Sequence, residues 1–502
     1  MSVEPLKGGV RRRLIMATVI LASSVYVVDV VTIAIALPHM QGTFAATPVE
    51  IAWVATSFVL GATAMVACVG WISTRVGVRR LFATSIACFM VFAVGAANAD
   101  SLAEEVVWRL LMGGAGAAIH PLAQLILLST YPKALSGQAI AVWGTGTLVV
   151  PLMALPIAGY VIDLFGWSGV FYMALPIGAI ALVGTLSFVP EVKNVTPRRP
   201  LDGFGLTLLI IGLGALQYAL SRGARQDWFA STEIVVSAIV FAACAYAFAV
   251  HSVTTRNPLL PASLFRHRNL SLGLAGVFVF GLTLTLVNLL LALMLQNQLG
   301  YPVELSALTL APRFVGIVIG QYLVVVLIVR MDSRHLLAAG AVIAASMTWV
   351  MSGWSLAISP WQVMWPLVLH GIGDGFIWMS MNPLAVGTVP EHHRSQAVPL
   401  YFLSFNVGFS TGVAAIMTYW TTSSQSNHTL LAELFTRFAS PSSGLPSQWE
   451  AMGPTVAAAM TEEIARQAAM IAYNNCFFVI SLGTLLLVPI AYLMRDPGWR
   501  HQ

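Results

Sequence analysis

Fourteen apolar runs of about 20 residues, set apart by short polar segments, constrain this chain more than any other feature. They fall at 14–37, 51–71, 81–98, 104–130, 138–161, 169–189, 203–221, 231–250, 270–297, 305–329, 335–357, 362–386, 397–419 and 469–494. A helix needs roughly 20 apolar residues to cross a bilayer core of about 30 Å. Hydrocarbon offers backbone amides no partners, so a spanning segment must satisfy its own hydrogen bonds as a helix or pair them in a closed barrel. These runs are long and do not alternate in polarity, which predicts helices rather than barrel strands. Composition agrees: 9% of the 502 residues are charged and 58% are hydrophobic, whereas a soluble domain is about a quarter charged and under half apolar. A soluble globular enzyme and a disordered chain are thereby excluded. The net charge of +5 is not gathered on one soluble face, which argues against a nucleic-acid partner. Cys68, Cys88, Cys244 and Cys476 lie inside apolar runs without metal-ligand spacing and read as small packing side chains. Arg11, Arg12 and Arg13 before the first run mimic a signal peptide, but the run is too long for one and lacks a small-residue cleavage site.

An even number of spans puts both termini on one side. With the N-terminus inside, inner segments hold 19 of the Lys and Arg residues and outer segments hold 4. That asymmetry predicts a cytoplasmic N-terminus and C-terminus. One long outer segment, about 421–467, reads as a loop with short amphipathic helices near 430–438 and 456–469.

Asp29, Arg109, Arg313 and Asp374 fall inside the predicted spans. Charge in a membrane is costly, so each marks a functional-site hypothesis. At 1.5 Å per residue, Asp29 lies on the order of 22 Å from the inner end of its helix and Arg109 roughly 8 Å from the outer end of its own. Both therefore sit at about the same level, where they can pair. Burial works against an ionised carboxylate and a neighbouring guanidinium works for it. Such a group suits proton coupling, and the same residues also suit a structural ion pair between two helices. Asp374, flanked by Gly371, Gly373 and Gly375, reads as a second proton or cation site or as the partner of Arg313. His120 and His370 are proton relays or packing residues. Gln124, Asn288, Gln296 and Asn382 are mid-span polar groups for a cavity or for helix–helix hydrogen bonds. Trp53, Phe58, Trp143, Trp378, Tyr401, Phe402 and Phe405 offer aromatic faces to an apolar or cationic ligand, or simply pack.

Several segments carry a family resemblance. Gly70-Trp-Ile-Ser-Thr74-Arg75-Val-Gly77-Val-Arg79-Arg80 resembles the cytoplasmic loop motif of the major facilitator superfamily, G-x-x-x-D-R-x-G-R-R, with Thr74 in place of the Asp. Asp29 and Ala36-Leu37-Pro38 resemble the first span of its fourteen-span drug–proton antiporter branch, L-D-T-T-I-V-N-V-A-L-P, with Val30, Val31 and Ala34 replacing the Thr pair and the Asn. Arg109-Leu-Leu-Met112-Gly113-Gly-Ala-Gly116 is similar to R-x-x-Q-G-x-G, with Met112 for Gln. Gly144, Pro151, Pro156 and Gly159 resemble a degenerate form of the antiporter motif of the fifth helix. Trp167, Phe171, Pro176 and Gly178 match the segment that follows it. Pro312-Arg313 is similar to a Pro-Arg pair of the tenth span, and Ala472-Tyr473-Asn474-Asn475 opens the last span much as Ala-Tyr-Asn-Asp does. In the thirteenth span the family's Arg-Asn stretch is absent.

The resemblance implies an all-α polytopic membrane protein with fourteen transmembrane helices, arranged as two six-helix halves and two inserted helices. The boundaries are a cytoplasmic N-terminus 1–13, a first half 14–189, a linker with two extra helices 190–268, a second half 269–494 and a cytoplasmic tail 495–502. It also implies a multidrug efflux permease in the bacterial inner membrane that exchanges protons for amphipathic compounds by alternating access. In that reading Asp29, Arg109 and Asp374 couple protons. Gly70, Arg75, Gly77, Arg79 and Arg80 form the loop motif, and Arg313, His120, Gln124, Trp143, Asn288, Trp378 and Phe405 face the cavity. No metal or cofactor is called for, and the proton gradient is the energy source. The partners are a small-molecule substrate, protons and membrane lipid, and for some relatives in two-membrane bacteria a periplasmic adaptor protein. The alternatives are a transporter of one metabolite and a non-transporting membrane protein. No phosphate loop accompanies the spans, so ATP-driven transport is not expected.

Overall fold

The computed structural model describes residues 8–46, 48–191, 202–223, 226–255, 258–260, 262–328, 330–438 and 453–495. Among these residues there are seventeen α-helices, two short 3₁₀ turns and no strand. The helices are α1 (Gly8–Thr43), α2 (Pro48–Val76), α3 (Val78–Ala97), α4 (Leu102–Ala117), α5 (Ile119–Thr130), α6 (Lys133–Phe165), α7 (Gly169–Tyr172), α8 (Ala174–Phe188), α9 (Gly203–Arg222), α10 (Thr232–Thr254), α11 (Arg268–Asn297), α12 (Val303–Leu327), α13 (Ser333–Met351), α14 (Pro360–Val386), α15 (Glu391–Phe438), α16 (Gly453–Leu485) and α17 (Leu487–Leu493). All fourteen predicted runs fall on helix. Eleven segments among the described residues are long and apolar enough to cross a membrane, and α2, bent by 55° between Trp53–Val66 and Cys68–Val76, makes a twelfth. α6 and α14 occupy the two remaining runs.

Three predicted spans are interrupted by one rule. Proline lacks the N–H that would bond the carbonyl four residues earlier. α4 ends at Ala117, four before Pro121; α7 ends at Tyr172, four before Pro176; α16 ends at Leu485, four before Pro489.

Hydrogen bonds between distant residues sort the helix termini into two ends. At the end that holds Gly8, here the proximal end, Tyr131 donates to the Arg12 carbonyl, Arg79 to the Leu186 carbonyl and Asn269 to the Arg495 carbonyl. At the distal end Trp167 donates to Thr43, Asn98 to Tyr172 and Arg466 to the Gln298 carbonyl. Helices α1–α8 pack on one another, and α11–α17 pack on one another. The α9–α10 hairpin leans on α2 and α15 and leaves most of α10 exposed. At the proximal end one apolar core takes residues from both groups, among them Ile15, Leu122, Leu384 and Leu403. At the distal end there are two separate cores, one around Met40 and Phe171 and one around Leu290 and Phe477.

Glycine sets the closest approaches. A Cβ at Gly61 of α2 or at Gly113 of α4 would strike the Leu110 or Phe58 carbonyl across the contact. α12 and α14 meet in the same way. Gly316 and Gly320 face the Val368 and Ile372 carbonyls, and Gly371 and Gly375 face those of Arg313 and Ile317, the last at 2.5 Å from an added Cβ. Backbones in contact gain dispersion where lipid gives no hydrophobic drive.

Three expectations need correction. The segment 421–467 is not mainly loop: α15 runs unbroken to Phe438, and α16 already begins at Gly453. The two short amphipathic helices are therefore continuations of the spans. Side chains of Thr421 and Thr429 bond carbonyls one turn back, and Asn475 of α16 donates to Ser423, so polar residues are accommodated within the helices. Residues 439–452, with Pro441, Gly444 and Pro446, lie outside the described residues, as do 1–7, 192–201 and 496–502. The loop motif is not a loop either. Gly70 to Val76 is the last part of α2, and Gly77 alone, at φ 94°, turns the chain into α3. The run 335–357 stops being helical at Met351, just before Ser352 and Gly353.

The inserted hairpin is pinned at its proximal end by Asp202. Its carboxylate accepts from the Gly205 and Leu259 amides at 2.9 and 3.0 Å and contacts His251 Nε2 at 2.7 Å. Burial disfavours the ionised form, but these partners outweigh it and hold the group below its ordinary value. A carboxylate lowered in the folded state stabilises it fully above the unfolded pKa of about 4 and loses that contribution as pH falls through the lowered value. Protection of the Gly205 and Leu259 amides, taken relative to the intrinsic exchange rate at each pH, is therefore expected to fall in Asp202→Ala at neutral pH, and in the wild type only on acidification below about pH 4, both read by hydrogen–deuterium exchange. Gly371→Val is expected to lower stability by roughly 1–3 kcal/mol through overpacking against α12, seen as an earlier thermal transition of the detergent-solubilised protein.

Candidate functional site

The two charges predicted at one level do meet. α1 carries Asp29, and α4 carries Arg109 from the other side. Arg109 Nη1 donates to both carboxylate oxygens at 2.9 and 2.7 Å, and Nε donates to the Val54 carbonyl of α2 at 3.3 Å. The guanidinium lies over the Phe58 ring at 4.3 Å and near Phe171 at 5.8 Å. The two side chains are only 1% and 2% exposed. Arginine suits this position because its planar cation bonds the carboxylate while its faces stack on rings. The close approach of α2 and α4 at Gly61 and Gly113 brings the Val54 carbonyl and Phe58 to Arg109.

A second pair occupies α12 and α14. Arg313 Nη2 donates to Asp374 Oδ2 at 2.7 Å and to the Leu284 carbonyl at 2.6 Å, and its Nε donates to His370 Nδ1 at 3.3 Å. His370 Nδ1 also lies 3.1 Å from Asp374 Oδ2, one helical turn away. Asp374 is thus the partner of Arg313, the second of its two predicted roles, and the geometry leaves its first role open. Here too the charges are seated by a glycine contact, Gly371 on the Arg313 carbonyl.

Between the two helix groups lies a cavity of about 300 Å³. Tyr26, His120, Trp143, Phe280, Trp378, Phe402 and Phe405 give it an aromatic wall; Thr147, Gln321, Asn406 and Asp374 are its polar residues. His120 makes edge contacts with Tyr26 and Phe402 at 5.3 and 6.1 Å and a tilted one with Trp143 at 5.8 Å. Trp143 anchors its ring by donating to Ser23 at 2.9 Å. Asp29 and Arg109 do not line the cavity; Tyr26, one turn from Asp29, does. Of the other predicted cavity residues, Arg313 and Asn288 lie outside this wall and Gln124 lies proximal to it. Gln124 and Asn382 bond reciprocally through their amides at 2.7 and 3.2 Å, joining α5 to α14 across the two groups. Among the remaining aromatics, Trp53 stacks on Tyr218 and Arg222 of the hairpin, Phe58 backs Arg109, and Tyr401 is buried in the shared core.

The fifth-span motif contributes Gly144, whose missing side chain makes room for Met379 of α14. Gly159 faces open space, and the side chains of Pro151 and Pro156 lie outside the described residues. In the loop motif Arg75 lies over Trp71 at 4.7 Å, Arg79 caps the last turn of α8 through the Leu186 carbonyl, and Arg80 reaches Glu191 at 3.7 Å. Gly70 is buried. Sequence reasoning missed two buried charges, Glu105 on α4 and Asp332 just before α13, and the polar cavity residues Thr147, Gln321 and Asn406. Glu105 escaped notice because an acid in a first turn ordinarily faces water and favours the helix dipole.

The sequence profile of the Major Facilitator Superfamily matches residues 19–413. Over 505 residues the chain is 27% identical to the multidrug export protein EmrB of Escherichia coli (strain K12), covering 98% of this chain and 97% of that protein. It is 29% identical over 513 residues to the fatty acid resistance protein FarB of Neisseria gonorrhoeae, covering 99% and 98%. Among solved structures, the proton:xylose symporter XylE bound to 6-bromo-6-deoxy-D-glucose superposes with a TM-score of 0.60 at 12% identity, over 96% of this chain and 97% of that one. The human organic anion transporter MFSD10 does so with a TM-score of 0.58 at 12% identity, over 94% and 99%. These two share the fold.

Removing one member of a buried pair strands the other charge, at about 3–5 kcal/mol, whereas removing both is far milder. Arg109→Leu is therefore expected to unfold well below the wild-type temperature, and Asp29→Leu/Arg109→Leu to recover much of the loss, as read by thermal unfolding in lipid nanodiscs.

Proposed function

We propose that this chain, which belongs to the Major Facilitator Superfamily, exports amphipathic drugs or other toxic small molecules in exchange for protons. It is a multi-pass membrane protein. In this reading fourteen helices cross a bacterial inner membrane, with both termini in the cytoplasm. The basic proximal end is the cytoplasmic one, where Arg11, Arg75, Arg79, Arg80 and Arg334 collect. The helix groups α1–α8 and α11–α17 are the two six-helix halves, and α9–α10 is the inserted pair between them.

The observation that carries the proposal is the Asp29–Arg109 pair, buried a turn from a cavity wall residue. A protonated Asp29 no longer holds Arg109, so the local packing of α1 against α4 differs between the two protonation states. If substrate favours one state and the proton the other, each displaces the other by linkage. The shared core and the Gln124–Asn382 bond close the cytoplasmic side while the distal cores stand apart, which corresponds to an outward-facing arrangement; export requires the opposite state, with that bond broken. Asp374 supplies a second titratable group at the cavity wall. The wall is aromatic with few directional polar groups, which suits varied amphipathic compounds better than one metabolite recognised by many hydrogen bonds. The work is driven by the proton gradient, with no bond-making chemistry and no cofactor. An adaptor protein on the distal side belongs to the proposal on the strength of the family resemblance.

In proteoliposomes with an imposed proton gradient, Asp29→Asn is expected to abolish uphill transport of ethidium while the protein remains folded. Uphill transport at the wild-type rate in that variant would remove Asp29 from the coupling role.

A further inference from the structure

Glu105 lies one helical turn distal to Arg109 and is used by neither ion pair. It is 0% exposed, and among the described residues neither of its oxygens accepts a hydrogen bond. It is not needed to start α4. Ser101 accepts from the Glu104 amide, and Glu104 accepts from the Asp100 amide and from Trp108 Nε1. The charged groups facing Glu105 are Arg109, Asp29 and Glu104. Residues four apart share a helix face, so Glu105 lies along the same face from which Arg109 reaches Asp29. The buried site thus contains two carboxyls and one guanidinium. An ionised carboxylate without a donor is among the least tolerable buried groups. The site is neutral only when one of the two carboxyls carries a proton.

We propose that Glu105 is a second proton-carrying residue of the coupling site and shares Arg109 with Asp29 in alternation. The proposal rests on the reading of Asp29 as the coupling residue and extends it. With Arg109 on Asp29, Glu105 is the carboxylic acid. In the transfer the O–H bond of Glu105 breaks and an O–H bond forms on Asp29, directly or through water. Arg109 then turns to the new Glu105 carboxylate. One cation, one carboxylate and one acid are present before and after, so no net charge is created in the apolar interior. Glu105 is re-protonated from the distal side, because it sits in the first turn of α4. Asp29 therefore takes its proton through Glu105 rather than directly from distal water.

Infrared difference spectroscopy on the full chain in lipid nanodiscs at neutral pH, without substrate, tests this. A carboxylic acid C=O band is expected in the wild type and in Asp374→Asn. It is expected to be absent from Glu105→Gln, and absent also from Asp29→Asn, where Arg109 is released to ionise Glu105. Persistence of the full band in Glu105→Gln, or its retention in Asp29→Asn, overturns the proposal. In proteoliposomes, Glu105→Gln is expected to reduce proton-driven ethidium transport by at least about tenfold and leave ethidium counterflow intact, and Glu105→Asp to restore part of the loss. Equal losses in driven transport and counterflow would make Glu105 a structural residue. Wild-type driven transport in Glu105→Gln alongside loss in Asp29→Asn defeats this proposal and leaves the coupling role of Asp29 standing; wild-type driven transport in Asp29→Asn defeats the latter. Glu105→Leu, which buries no polar group, replaces the Gln variant should that one fail to fold.

Discussion

A charge in an apolar bundle survives only where it is itself paired and hydrogen-bonded, and that requirement organises this molecule. Arg109 spends its hydrogen bonds on Asp29 and the Val54 carbonyl, and its π-face rests on Phe58. Those partners come from two helices, α1 and α2, which must approach α4 within side-chain reach. Gly61 and Gly113 permit the α2–α4 approach. The second group meets the same requirement with other helices: Arg313 on α12, Asp374 and His370 on α14, and a run of glycines between them. The glycines and the charges form one device, since bulkier residues at the contact would separate the partners and leave each charge stranded.

Much of the fold was legible because membrane physics leaves few choices. Run length selects helix, and all fourteen runs fall on helix. The level shared by Asp29 and Arg109 followed from rise per residue alone. What could not be read was what joins distant parts of the chain. Gln124 and Asn382 are 258 residues apart, and each alone is an ordinary mid-span amide. Polarity misled at α15, because Thr and Ser mark where a helix leaves the apolar layer, not where its hydrogen bonding stops. Glu105 was passed over for a related reason: only packing shows that it points inward while its neighbour Glu104 caps the helix.

The aromatic wall and the ion pairs divide the labour of the cavity. Rings give a broad apolar surface with little directional preference, while in the proposed exchange the carboxyls give the group that changes charge. Only Asp374 stands at the wall itself; Asp29 lies behind Tyr26. In the proposed exchange, a ligand at the rings would therefore act on Asp29 through helix packing rather than by contact.

The proline break at Ala118 divides one predicted span into two rods. The distal rod, α4, carries Arg109 and Glu105. The proximal rod, α5, carries Gln124, and His120 stands beside the joint on the cavity wall. Proline removes one rung of the hydrogen-bond ladder at this joint without a large bend, so the charges on α4 and the inter-group amide bond on α5 lie on either side of the span's least tightly bonded turn, next to the cavity.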